Sequence, residues 1–225
     1  MKSESFAAKK KRAEKIYRIL HKNYPGGRSA LKWQTPVQML VATVLSAQTT
    51  DKSVNRVTQE HRLFKKYKTA DDFTRANLKT FEQEIRSLGF YHNKAKNIIA
   101  ACKMLRDEYG GKIPVDINEL IKLPGVARKT ANIVLNHVYN IAEGIAVDTH
   151  VAQVAIRCGL SSEKDRNRAK LDPNKIEIDL MALYPKKYWR FVNYAMVDYN
   201  RDIHSAEFKR SGRKDPLVGF CPSLK

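Results

Sequence analysis

Cysteine is scarce and poorly spaced for cross-linking: the 225 residues contain three, Cys102, Cys158 and Cys221, far apart and without a C-x-x-C pair. That pattern suggests neither a disulfide framework nor a zinc ribbon, and a reducing compartment suits it best. Long apolar runs are missing too. No stretch approaches the roughly 20 residues of a membrane helix, and the N-terminus is a charged helical pattern without the apolar core of a signal peptide. The chain therefore reads as soluble and intracellular. Strand-like segments are few, and neither an internal repeat nor a low-complexity linker appears, so any domain boundary has to be formed by packing. Acidic residues are outnumbered, 23 Asp and Glu against 42 Lys and Arg, for a net charge of +19.

The basic excess runs from Lys2 to Lys225 and is not confined to one tail, which points to a polyanionic partner. A basic solvated surface, as on small ribosome-associated proteins, is the alternative that charge alone leaves open. A hydrophobic share of 43% is ordinary for a packed core, and the length allows one large or two small domains.

Short helices dominate the expected structure, each opened by a capping residue and closed by Gly, Pro or a polar cluster. The first runs from Ser5 to about Tyr24 and stops at Pro25-Gly26-Gly27. Thr35-Pro36 places a cap and an N1 proline before the apolar run Val37 to Leu45, read as a buried helix. Asp51 opens a helix to about Lys66, Thr69 a short one, and Asn77 one that ends at Gly89 in a left-handed C′ conformation. Asn93 begins a helix to Tyr109, halted by Gly110-Gly111. Asp116-x-x-Glu119 has capping-box spacing before a brief helix, and another follows from about Arg128 to Tyr139. Asp148 or Thr149 caps a helix through Arg157, Asp172-Pro173 starts the next, and Pro185 precedes an aromatic one bearing Tyr188, Trp189, Phe191 and Tyr194. Beyond Ser211 the chain reads as irregular.

Two segments carry chemistry. Leu123-Pro124-Gly125-Val126-Ala127-Arg128-Lys129-Thr130-Ala131 has a helix-hairpin-helix layout. Backbone N–H groups of such a turn, next to a positive helix N-terminus, suit a phosphate oxygen without reading a base. An ordinary helix connection would share the spacing. Ala146-Val147-Asp148-Thr149-His150 puts a carboxylate at a helix start, where it could be a plain N-cap, and His150 by itself is as compatible with packing as with catalysis.

Taken together, Leu45 to Asp51, Gly89 to Ala95, Leu123 to Leu135 and Val147 to His150 resemble the signature stretches of the endonuclease III family of helix-hairpin-helix DNA glycosylases, in the right order and spacing. The match extends from about Pro36 to Tyr199. The resemblance implies an all-α, two-lobed fold with a substrate cleft: a six-helix domain over 30–141 containing the hairpin, and a second lobe from 1–29 plus 142–225. It also implies a monomer that removes damaged, oxidised pyrimidines from duplex DNA and cleaves the abasic site by β-elimination. That work would take place in a prokaryotic cytoplasm or nucleoid, or in a eukaryotic nucleus.

By position, Lys129 falls where bifunctional members keep their nucleophile and Asp148 where the family keeps its catalytic carboxylate. Partial burial in a cleft would disfavour the charged form of the amine. Gln48 and Phe90 match the positions from which side chains fill the space left by a flipped nucleotide. A hydrophobic residue after a C′ glycine can instead pack back on its own helix. His92, Lys94 and Arg128 read as phosphate contacts, with Gly125, Ala127 and Thr130 of the hairpin and His150 also placed against DNA. A monofunctional or mismatch-specific glycosylase and a non-catalytic DNA-binding relative are the alternatives. Lys129 argues against the first, and Lys129 with Asp148 against the second.

The resemblance fails at the C-terminus. Family members hold a [4Fe–4S] cluster on four cysteines, whereas here Val218 stands where one thiolate belongs, Ser211 lies near the first position, and the sequence stops before a fourth. No cofactor is expected. The second lobe is then expected to be held by packing, with the helix near Trp189 contributing, while Lys209, Arg210, Arg213 and Lys214 supply charge. Ala127 replaces a common hairpin glycine, which costs nothing if it sits at a helix start, and Ile121 replaces an acidic residue found in some members.

Overall fold

The computed structural model describes residues 4–25, 30–163 and 171–223. Every regular element among them is helical, as an all-α fold requires, and no described helix is long and apolar enough to cross a membrane. The chain divides into two compact units, Ser29–Glu143 and Met1–Arg28 with Gly144–Lys225.

The Ser29–Glu143 unit is organised on α2 (Pro36–Leu45), whose N-cap Thr35 accepts from the Gln38 amide and whose residues from Val37 to Leu45 are all buried. A buried glutamine on such a helix needs partners. Gln38 has them: its amide donates to the Phe64 and Tyr67 carbonyls at 2.8 and 3.0 Å, and its Oε1 accepts from the Gln34 N–H at 2.9 Å. Helix α2 packs on α7 (Tyr91–Tyr109) and α9 (Arg128–Tyr139), and α7 packs on α5 (Ala70–Thr74) and α6 (Leu78–Glu84). Tyr67, Phe73 and Phe81 meet at ring separations of 5.0 to 5.9 Å. Full burial of each such ring contributes about 1.5–3 kcal/mol.

Three expectations change here. The run from Asp51 to Lys66 is not one helix: α3 (Asp51–Asn55) passes into a π turn at Arg56–Glu60, Arg62 is left-handed, and α4 spans Leu63–Lys66. On a continuous helix the buried Leu63 would lie about 180° from Val54 and about 120° from Val57, and the break brings it to the core with them. Helix α6 ends at Glu84, well before Gly89, and the left-handed residue is Phe90 (φ 56°), so α7 begins at Tyr91 and not at Asn93. At α8 (Ile117–Leu120) Asp116 caps, but Glu119 turns away to the Tyr109 hydroxyl and Lys122, so no capping box forms. The Gly110-Gly111 stop is present, both residues having positive φ, whereas Gly26 and Gly27 lie outside the described residues.

In the other unit, α1 (Phe6–Asn23), capped by Ser5, buries Ala13, Ile16 and Leu20 along one stripe. It packs on α11 (Pro173–Leu183) and α12 (Lys186–His204), and α12 packs on α10 (Thr149–Arg157) and α13 (Ala206–Ser211). The expected aromatic contribution is found between α1 and α12: Tyr17 stacks on Tyr188 at 3.8 Å and meets Phe191 edge-on at 5.4 Å. The segment after Ser211, read as irregular, is a series of turns with specific fastenings. Leu217 is fully buried, the Tyr199 hydroxyl donates to Asp215, and Arg213 pairs with Asp202 at 2.8 Å. Arg12 reaches from α1 to the carbonyls of Cys158, Gly159 and Phe220 and pairs with Glu4.

The cysteine reading needs correction. Cys158 and Cys221, 63 residues apart, form a disulfide. Sequence spacing gave no hint of it because the two meet only when the tail folds back on the end of α10.

Candidate active site

In the hairpin, Leu123 and Val126 are buried in the unit's core while Gly125 and Ala127 between and after them are exposed. Gly125 is required twice over. Its φ is +76°, and a Cβ there would lie 2.9 Å from the Asn97 Cβ. Ala127 sits in extended backbone (φ −80°, ψ 165°) as the N-cap of α9, so alanine costs no strain, as expected for a helix start. Being alanine, it offers no side-chain cap, unlike Thr35, Thr69, Asn77 and Asp116 at other helices of this unit. The first turn of α9 is thus an N-terminus suited to an external acceptor.

Arg128 and Thr130 on that turn are half-buried, and Lys129 between them is exposed. The expectation of partial burial for Lys129 is therefore not met in the protein alone: Ala131, Val134 and Leu135 are buried on the side away from it, and although Asn132 and Asn136 on its own side are buried further along α9, Lys129 at the first turn is exposed.

Asp148 belongs to the other unit, and its Oδ1 accepts from the Val151 N–H at 2.9 Å as the N-cap of α10. The plain capping reading is thus realised, and the cap fixes the carboxylate at the helix start. Ala146 and Val147 before it are buried, and Asn193 donates to the Ala146 carbonyl. Val147, Asp148, Ala152, Ile156, Leu171 and Ile176 line an apolar cavity of about 300 Å³ in this unit. His150 is half-buried, and its Nδ1 pairs with the Asn200 amide at 2.9 Å. Asn200 was not anticipated. It is buried and also meets Gln153 and Arg157, so α10 presents His150, Gln153 and Arg157 to it at spacings of three and four, the one sequence signal that existed.

Gln48 and Phe90 are both exposed and both left-handed, at φ 53° and 56°. Non-glycine residues pay strain in that region, and such strain concentrates at functional positions. Phe90 is 64% exposed, so it does not pack back on its own helix. His92 is exposed, with Nδ1 3.0 Å from Glu82. Lys94 is a correction. It is 5% exposed, and its ammonium points inward to the Leu45 carbonyl (2.8 Å), the Thr49 hydroxyl (2.9 Å) and the Leu88 carbonyl (3.3 Å). It is not placed to touch a phosphate, because all three of its N–H donors are committed inside. Burial holds its pKa below the usual lysine value.

The donors for an iron–sulfur cluster do not fit. Cys158 and Cys221 are joined to each other, and Cys102 is buried in the other unit with its thiol pushed up to about 12 by burial. Among the described residues no group of three or more His, Cys, Asp or Glu could hold a metal ion. Four thiolates cannot be assembled from these residues.

Comparison with known proteins accords with this geometry. Residues 41–178 match the HhH-GPD superfamily base excision DNA repair protein family. The chain is 43% identical over 219 residues to an endonuclease III of Synechocystis sp., covering 97% of this chain and 95% of the relative. It is 39% identical over 198 residues to an endonuclease III of Bacillus subtilis, covering 88% and 86%. A solved chain described as a trapped endonuclease III–DNA covalent intermediate in an estranged-adenine complex superposes with a TM-score of 0.83, at 37% identity, over 95% of this chain and 96% of that one. The chain belongs to the HhH-GPD superfamily of base excision DNA repair proteins and, within it, to the endonuclease III family.

Proposed function

We propose that Lys129 is the nucleophile and Asp148 the assisting carboxylate of a bifunctional glycosylase and abasic-site lyase that acts on oxidised pyrimidines in duplex DNA. The observation that carries the reading is an exposed lysine on the first turn of an uncapped helix, directly after a Pro124-Gly125 turn of hairpin geometry. The enzyme class itself follows from family membership and from relatives named endonuclease III.

Free amine is the reacting form. The carboxylate of Asp148 takes a proton from the ammonium, and Nζ of Lys129 attacks C1′ of a flipped-out nucleotide while the base departs with a proton. Opening of the sugar ring gives a protonated Schiff base. Loss of a C2′ proton then expels the 3′ phosphate by β-elimination, and water releases the lysine. Carboxylate charge near the sugar stabilises the positive charge that develops there. The hairpin N–H groups and Arg128 hold backbone phosphates, with His92 and His150 as further contacts, and Gln48 and Phe90 fill the opened stack.

We further infer that the protein works without an iron–sulfur cluster, as a monomer in a DNA-containing compartment. Support comes from the donor set, in which the one tail thiol is committed to Cys158.

Borohydride trapping on duplexes carrying thymine glycol or an abasic site tests the central assignment. Wild type is expected to form a covalent complex, and Lys129→Ala to bind the duplex without trapping. A complex formed by Lys129→Ala at the wild-type rate would falsify the nucleophile. Duplexes with uracil or a mismatch separate the monofunctional alternative, which would remove the base without nicking.

A further inference from the structure

The buried lysine is unexplained by the chemistry above. An ammonium removed from water is costly unless its donors are satisfied. The partners of Lys94 are three neutral oxygens and no carboxylate. One, the Leu45 carbonyl, lies at the last residue of α2, where helical N–H groups no longer reach and a cation is favourable. Closing that helix would need only this bond. The other two bonds go to separate loops, one to Thr49, the neighbour of Gln48, and one to Leu88, two residues before Phe90. In addition, the backbone N–H of Lys94 donates to the Phe90 carbonyl at 3.0 Å. One residue therefore fastens both loops that carry left-handed, exposed side chains. Gln48 and Phe90 are two of the four non-glycine residues with positive φ among those described.

We propose that Lys94 is a positioning residue whose ammonium ties the Gln48 loop to the Phe90 loop and thereby sets the two side chains that enter the opened duplex. This rests on the role given above to Gln48 and Phe90. Strained backbone persists only where its surroundings over-determine it, and Lys94 supplies that determination from inside the unit. Without the ammonium, the Thr49 hydroxyl and Leu88 carbonyl lose a common partner, and each loop relaxes independently.

The test compares borohydride trapping on an abasic duplex with trapping on the same abasic strand left single, where no stack has to be opened. For Lys94→Met the ratio of duplex to single-strand trapping rate is expected to fall about a hundredfold, the scale of a misplacement near 1 Å. In a Gln48→Ala, Phe90→Ala background the same substitution should change the ratio less than about threefold, since coupled residues are not additive. 2-Aminopurine placed opposite the lesion should lose its fluorescence rise in Lys94→Met. Lys94→Gln, which keeps two donors, serves if the methionine variant does not fold and should give an intermediate ratio. A merely structural lysine would lower both rates together and leave the ratio alone, which overturns the proposal. So does an equal fall in the Gln48→Ala, Phe90→Ala background. If the ratio is intact in Gln48→Ala, Phe90→Ala itself, the wedge reading fails, and the positioning role fails with it.

Discussion

In the Ser29–Glu143 unit, α2 is buried along almost its whole length and the rings of Tyr67, Phe73 and Phe81 interlock, with Cys102 a lone thiol among them. The other unit adds discrete fastenings to its core: the Cys158–Cys221 bond, the Arg12 fork on three carbonyls, and Asp215 under Tyr199. The difference follows from what each must hold. Non-directional burial holds helices that pack on one another, and directed bonds appear where turns must be held: at Gln38 and Lys94 in the first unit, and along the whole tail of the second, whose backbone groups need named partners. The proposed nucleophile stands in the first unit and the proposed carboxylate in the second, so the comparison extends to function.

Each unit holds one of the two tryptophans, Trp33 and Trp189, so single-tryptophan variants report their unfolding separately. The largest effect should be on rate. Asp148→Ala is expected to lose about 10²- to 10⁴-fold in trapping rate and, as the N-cap of α10, about 1 kcal/mol of stability seen by Trp189. Lys129→Ala should lose trapping with less than about 0.5 kcal/mol change seen by Trp33, as for an exposed side chain. A stability loss at Lys129 equal to that at Asp148 would erase the contrast.

Next in size is the covalent link. Cys221→Ser should lower the stability reported by Trp189 by about 2–4 kcal/mol in the oxidised protein, leave the Trp33 transition in place, and match wild type once reductant is added. Identical melts with and without reductant would show that packing and Arg12 suffice. Arg12→Met should cost about 2 kcal/mol in the same unit by leaving buried carbonyls unpaired.

The smallest effect belongs to the first unit. Asp72 closes the capping box with Thr69, and the Lys68 and Thr69 N–H groups hold its carboxyl below the usual carboxylate range. Its stabilising contribution is complete above about pH 4, the unfolded value, and is lost as pH falls through the lower folded value. Asp72→Asn should therefore destabilise the Trp33 unit at neutral pH and converge with wild type in acid, as urea titrations at several pH values would show.

Much of the frame was legible before any coordinates. Caps at Ser5, Thr35, Thr69, Asn77, Asp116 and Asp172 read correctly because each depends on its own side chain and an N–H two or three residues on, and of the two residues open for α10, Asp148 and Thr149, the cap is Asp148. Arg128 to Tyr139 emerged with its expected bounds. Gln48 and Phe90 came from resemblance, and their strained backbone was visible only once folded.

Local rules, then, let the sequence determine the helical class, most helix starts and the hairpin layout around Gly125, while the structure settled that Gly125 is obligatory and Ala127 costs nothing. Tertiary structure decided what depends on distant partners. It turned Lys94 from an apparent phosphate contact into a buried clasp, left Lys129 exposed, broke Asp51–Lys66 into pieces and joined Cys158 to Cys221. The physical reason is the same in each case: burial, register and thiol proximity are set by which segments meet, and neither periodicity nor spacing along the chain records that meeting.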